Sequence, residues 1–194
     1  ANLTMIGRVQ IRALRWEDAV GALEEALAIR ERVFGPDHPN VASTVNELGT
    51  VALRRERFEE AERHYLRANA IYRATYGDRH YLVGITLSNL GSVGMGRQDN
   101  AAAERYLRQA VALFTEALGP DHSNVGIART KLGRALLRQG KYREAIEEST
   151  AGYQILGKQA SPAMNFITNA RADLVTGYTA LGQPEAAARY RDST

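Results

Sequence analysis

The chain has 194 residues, 44% hydrophobic and 24% charged, with a formal net charge of +3 and no cysteine. That balance excludes a disordered or membrane-embedded chain, and the lack of cysteine excludes disulfides and thiolate metal sites. With no run of 18 apolar residues and no charged-then-apolar leader, neither a membrane span nor a signal peptide is expected, and +3 is too small to argue for nucleic acid.

Offset by 42 residues, the chain aligns with itself without gaps, so it reads as one repeat array over 1–194. The closing loops show the period: Gly35-Pro36-Asp37-His38, Gly77-Asp78-Arg79-His80 and Gly119-Pro120-Asp121-His122, with Ser161-Pro162-Ala163-Met164 where a fourth belongs. Leu48, Leu90, Leu132 and Leu174 share one column; Ala19, Ala61, Ala103, Ala145 and Ala187 share another. Copies are expected at about 1–40, 41–82, 83–124, 125–166 and 167–194, the last incomplete. Ala1 falls inside a repeat without an initiator Met, which reads as part of a longer protein.

In chain order, Leu3, Ile6 and Gly7 sit in the columns of a first helix, and Trp16-Glu17-Asp18-Ala19 opens a second. In copy two, Val45, Leu48 and Ala52 take the spacing of one helical face, as do Ala61, Tyr65, Ala68 and Tyr72, with Arg55-Glu56-Arg57 as the polar turn between. The pair is therefore an αα-hairpin. Copy three repeats it with Leu87, Leu90 and Gly94, then Ala103, Leu107, Ala110 and Phe114. Copy four turns at Gln139-Gly140-Lys141, with Tyr142 in the aromatic column of Trp16 and Phe58. Copy five starts near Ile167 and ends in a short helix that Pro184 can begin.

The Ala column marks a close helix crossing, where added carbons would cost roughly 1–3 kcal/mol. Gly49, Gly91 and Gly133 read as close approaches within first helices, and Gly35, Gly77 and Gly119 as left-handed C-terminal caps. The column of Leu3, Val45 and Leu87 becomes Arg129 and Arg171, whose stems must pack while their heads reach water or a carboxylate. Easier opening of copies four and five is expected from that change.

The set Leu48-Gly49, Phe58, Ala61, Tyr65 and Ala68, repeated along the chain, resembles the tetratricopeptide repeat. The 42-residue period and the Gly35 to Asn40 loop resemble its kinesin light chain subclass. Departures are Glu56 and Gln98 at the turn glycine, Asn100 at the aromatic, and Ser161 to Met164. The resemblance implies an all-α fold, a right-handed α-solenoid of antiparallel helix pairs whose first helices line a concave groove for peptides, and no catalysis.

Chemistry sought independently is sparse. His38, His80 and His122 form a column, but neighbouring helices pack about 8–10 Å apart, too far for one shared ion, so each imidazole is expected to bond within its own loop. Glu24-Glu25, Glu59-Glu60 and Glu147-Glu148 are adjacent and point apart on a helix, which suits a solvated face better than an acid/base pair. Asp99-Asn100 reads as a helix N-cap.

Helix phase places Asn46, Thr50 and Arg54, then Ser88, Asn89 and Ser92, then Lys131, Arg134 and Arg138 on or beside the open face of successive first helices, with Arg8 and Arg12 at the front. By the resemblance, Asn46 and Asn89 lie at or beside asparagine positions that grip a peptide backbone, and Lys131 replaces the amide in copy four. The reading is a non-enzymatic protein-interaction scaffold without cofactor or metal, binding an acidic protein or peptide segment in its groove. The absence of cysteine is compatible with a cytoplasmic setting, and the arginine bias, 22 of 25 basic residues, suits a GC-rich bacterial genome. The alternatives are the regulatory or sensor region of a larger signalling protein such as a kinase, and nucleic-acid binding. The latter is disfavoured because the groove face has few aromatics to stack bases.

Overall fold

The structure, a computed structural model, describes residues 16–191 together with Met5, Ile6 and Val9. Leu3, Gly7, Arg8 and Arg12 lie outside the described residues. Among those described there are nine helices and no strand. They are α1 (Trp16–Phe34), α2 (Pro39–Arg54), α3 (Phe58–Tyr76), α4 (Tyr81–Gly96), α5 (Asn100–Leu118), α6 (Ser123–Leu137), α7 (Tyr142–Gly157), α8 (Met164–Ala180) and α9 (Pro184–Arg191). The chain divides into two compact units, Ala1–Arg97 and Gln98–Thr194.

In unit one, each helix packs on the next in sequence and α2 also touches α4, so first helices lie side by side with second helices behind them. Ala19 and Leu23 of α1 meet Leu48 and Val51 of α2, with Trp16, Val20 and Leu27 closing the cluster. Ala61 and Ala68 of α3 are fully buried. Gly49 is where the Tyr65 ring rests: a methyl there would stand 2.8 Å from Tyr65 Cε1.

The loops explain why helices start and stop where they do. His38 and His80 are N-caps whose Nδ1 atoms accept the backbone N–H of Asn40 at 3.1 Å and of Leu82 at 3.3 Å. In unit two, His122 does the same for Asn124 at 3.1 Å. The histidine column is therefore a capping device, satisfying a donor that every helix start leaves open. Gly77 and Gly119 close the preceding helices at φ of 83° and 90°, a region that favours glycine.

Unit two has its closest crossing between α6 and α7. A methyl on Gly133 would meet the Ala145 carbonyl and the Ser149 amide at 3.0 Å, and one on Gly152 would stand 2.8 Å from the Gly126 carbonyl. The columns filled by Tyr65 and Ala68 in copy two hold Ser149 and Gly152 here, which lets backbone meet backbone. Arg129 keeps its place by reaching Glu148 at 2.8 Å, and Arg171 by donating to the carbonyls of Tyr190 at 3.1 Å and Arg191 at 3.2 Å. At the fourth loop, α7 stops at Gly157 and α8 starts at Met164 without a side-chain cap on Ala163.

Candidate partner-binding face

On unit one the face is carried by α2 and α4, and its centre is an amide pair. Asn89 Nδ2 donates to Asn46 Oδ1 at 3.1 Å, across 43 residues of sequence. The pair leaves the Asn46 amide N–H groups as donors and Asn89 Oδ1 as an acceptor, opposite polarities on adjacent helices. Beside it, Thr50 donates to the Asn46 carbonyl and accepts the Tyr65 hydroxyl at 3.2 Å. Burial drives the Tyr65 phenol far above its ordinary pKa, and burial likewise pushes Tyr72 up to about 12, so both stay neutral donors. Arg54, one turn on from Thr50, is exposed and has no hydrogen bond or ion pair among the described residues.

Ser92 donates back to the Ser88 carbonyl at 3.1 Å. Ser88 itself is 5% exposed, which corrects its placement on the open face. Because α4 is covered by both α3 and α2, the strip left open is narrower than a two-sided helix reading allows.

On unit two, Lys131 and Arg134 lie on α6 and Arg138 is its C-cap. Lys131 Nζ stands 6.0 Å from the centre of the Phe166 ring. Arg134 is engaged by α8: its Nε donates to both Asp173 carboxylate oxygens at 3.1 Å, and its terminal nitrogen to the Asn169 carbonyl at 3.3 Å. Arg138 is exposed and its charge acts on the same carboxylate. Burial raises the Asp173 pKa above the ordinary aspartate value, against the pull of the Arg134 hydrogen bond and charge. Asp173 escaped the sequence reading although its signal was available: it lies one period beyond Lys131 and two beyond Asn89.

Other charges sit in the turns between helices and on the second helices. Arg55 meets Glu17 at 2.7 Å and Arg97 meets Glu62 at 2.8 Å, joining successive copies in unit one. In unit two the equivalent acid, Glu104, is buried and takes Lys141 at 2.7 Å, Gln139 at 2.8 Å and Arg108. Burial alone would raise its pKa, but the hydrogen bonds from Lys141 and Gln139, with the Arg108 charge, outweigh it and hold Glu104 below the ordinary glutamate range. His64 is held below its ordinary value by burial. Among the described residues no group of three or more His, Asp or Glu side chains could hold a metal ion, and no helix is long and apolar enough to cross a membrane.

The sequence profile of the tetratricopeptide repeat matches residues 1–74, 42–101 and 82–156. No curated protein matches the chain. Among solved structures it is similar to a Podosopora anserina putative kinesin light chain with nearly identical tetratricopeptide-like repeats. Identity is 21% over 97% of this chain and 89% of that one, with a TM-score of 0.77. It is also similar to BtubC (BKLC) from P. vanneervenii, at 17% identity over 98% and 76% of the two chains and a TM-score of 0.85. A Rap protein complexed with Competence and Sporulation Factor matches at 16% identity over 97% of this chain and 60% of that one, with a TM-score of 0.73.

Proposed function

The chain belongs to the tetratricopeptide repeat family, and from that membership we infer that it is a non-enzymatic protein-interaction scaffold whose first-helix face holds a peptide segment of a partner. The observation that carries this reading is the Asn89–Asn46 pair. An extended peptide presents a carbonyl and an N–H to its surroundings at every residue, and the pair offers a donor and an acceptor fixed by their own mutual bond. Neither amide has to lose rotamer freedom on binding, which lowers the ordering cost that limits peptide affinity. A Rap protein, a chain of like fold, is complexed with Competence and Sporulation Factor, which supports the reading at the level of the fold.

Arg54 supplies the charge. An exposed guanidinium at the end of α2, one turn from Thr50, suits an acidic side chain or terminal carboxylate of the partner. The experiment is affinity capture from a cell lysate with four baits: the wild-type chain, Asn46→Ala/Asn89→Ala, Arg54→Glu, and Arg63→Glu on the outer helix α3. Partners held by wild type and Arg63→Glu, and lost or weakened with the other two, are the expected result. Loss with Arg63→Glu and retention with the face variants would move the site to the second helices.

A further inference from the structure

One column of the repeat holds Glu47 on α2, Asn89 on α4, Lys131 on α6 and Asp173 on α8. In unit one the residue of this column on α4 reaches back to the preceding first helix, where Asn89 meets Asn46. In unit two the residue on α8 also reaches back to the preceding first helix, where Asp173 meets Arg134. The two contacts have the same origin and opposite consequences. The amide pair keeps donors and acceptors open. The ion pair closes both partners: the Asp173 side chain is only 9% exposed and Arg134 28%, with a second Arg134 nitrogen on the Asn169 carbonyl.

An acidic group of a partner aimed at Arg134 therefore meets a carboxylate already seated there. That carboxylate is tethered by α8, so its effective concentration exceeds anything a free peptide supplies. Displacing it would also strand a dehydrated carboxylate beside Arg138, the cation that next favours its charge. Resting on the reading of this face as a peptide site, we propose that Asp173 is a specificity-determining residue of unit two, an internal carboxylate that occupies Arg134 and withholds it from acidic partner groups. Arg134 in the native chain orients α8 on α6 and does not bind the ligand.

The test is fluorescence anisotropy of two labelled peptides, one of alternating Asp and Ser and one with Asn for Asp, titrated with the whole chain. Asp173→Asn keeps the side-chain shape and an acceptor for Arg134 while removing the charge. It is expected to tighten the acidic peptide about tenfold, to leave the neutral one within about twofold, and to lose the gain when Arg134→Gln is added. No gain, an equal gain for both peptides, or a gain that survives Arg134→Gln overturns the proposal. If Asp173→Asn loses its helical circular dichroism, the double variant, a neutral hydrogen-bonded pair, decides instead. Wild-type affinity for the acidic peptide supports withholding, and weaker affinity contradicts it. Loss of binding in Asn46→Ala/Asn89→Ala with no gain in Asp173→Asn defeats this inference alone, whereas capture indifferent to Asn46→Ala/Asn89→Ala defeats the reading beneath it.

Discussion

Glu56 and Gln98 stand at φ of 59° and 62° in the turn column where Gly140 and Gly182 stand at 73° and 69°. A left-handed conformation costs a residue with a Cβ roughly 1–2 kcal/mol. Part of that is offset by the greater freedom glycine has in the unfolded chain. Glu56→Gly and Gln98→Gly are therefore each expected to stabilise by about 0.5–1 kcal/mol in urea unfolding, and Gly140→Ala to destabilise by about as much. Ala61 gives the contrary case, being fully buried at the α2–α3 crossing. Ala61→Leu should cost roughly 1–3 kcal/mol, more than Arg55→Ala, which removes only an exposed pair with Glu17.

The two buried carboxylates of unit two pull stability in opposite directions with pH. Glu104 has a folded pKa below its unfolded value, so its contribution is present above the unfolded glutamate value and lost as pH falls through the folded one. Asp173 has a raised folded pKa, so its contribution grows as pH falls through that value and is lost as pH rises again. Thermal midpoints followed from about pH 7 to about pH 3 should show a shallower acid loss for Glu104→Gln and a steeper one for Asp173→Asn. Equal slopes in both variants would contradict the assignment.

At the scale of the element, the capping histidines tie loop to helix and differ in what else they touch. His122 caps α6 without a ring stacked on it among the described residues, whereas His38 stacks on Phe34 at 4.6 Å and His80 on Tyr76 at 4.4 Å. His122→Ala is expected to cost about 1 kcal/mol, the worth of a lost N-cap, and His122→Asp almost nothing. His80→Ala should cost about 0.5–1.5 kcal/mol more than His122→Ala, because the stacked contact is lost as well. Chemical denaturation of the three variants reads this directly.

Helix pairs, turn positions and the Ala column were legible because each is a local pattern that recurs at a fixed period. The burial of Ser88 and the engagement of Arg134 were not, because they depend on which third neighbour packs beside a helix: Ser88 is 5% exposed, and Arg134 meets Asp173 of α8. A single-helix phase carries no information about that third neighbour. Arg129 and Arg171 illustrate the same boundary. The sequence required their heads to find water or a carboxylate, and only the fold supplies Glu148 for one and the last carbonyls of α9 for the other.

At the scale of the whole molecule, helices pack on the next in sequence within each unit, so stability should fall stepwise as copies are removed from the C-terminal end. The backbone-on-backbone crossing of α6 and α7 argues against the easier opening expected of copy four. Weakness is placed instead in α8, which starts on Ala163 without a side-chain cap where α2, α4 and α6 start on capping histidines, and in α9, which packs on α8 alone among the described helices. Hydrogen exchange should protect α6 and α7 as well as α2 and α3, with α8 and α9 faster than all four. Uniform protection across α6 to α9 would contradict this.

The central claim is that a partner's peptide lies on the first-helix face, and a photo-crosslinking amino acid placed at Thr50 on α2 tests it against one placed at Arg63 on α3. Irradiated with a captured partner, the chain labelled at Thr50 is expected to give the covalent adduct and the chain labelled at Arg63 to give none. An adduct from Arg63 with none from Thr50 would place the partner on the second helices and contradict the account.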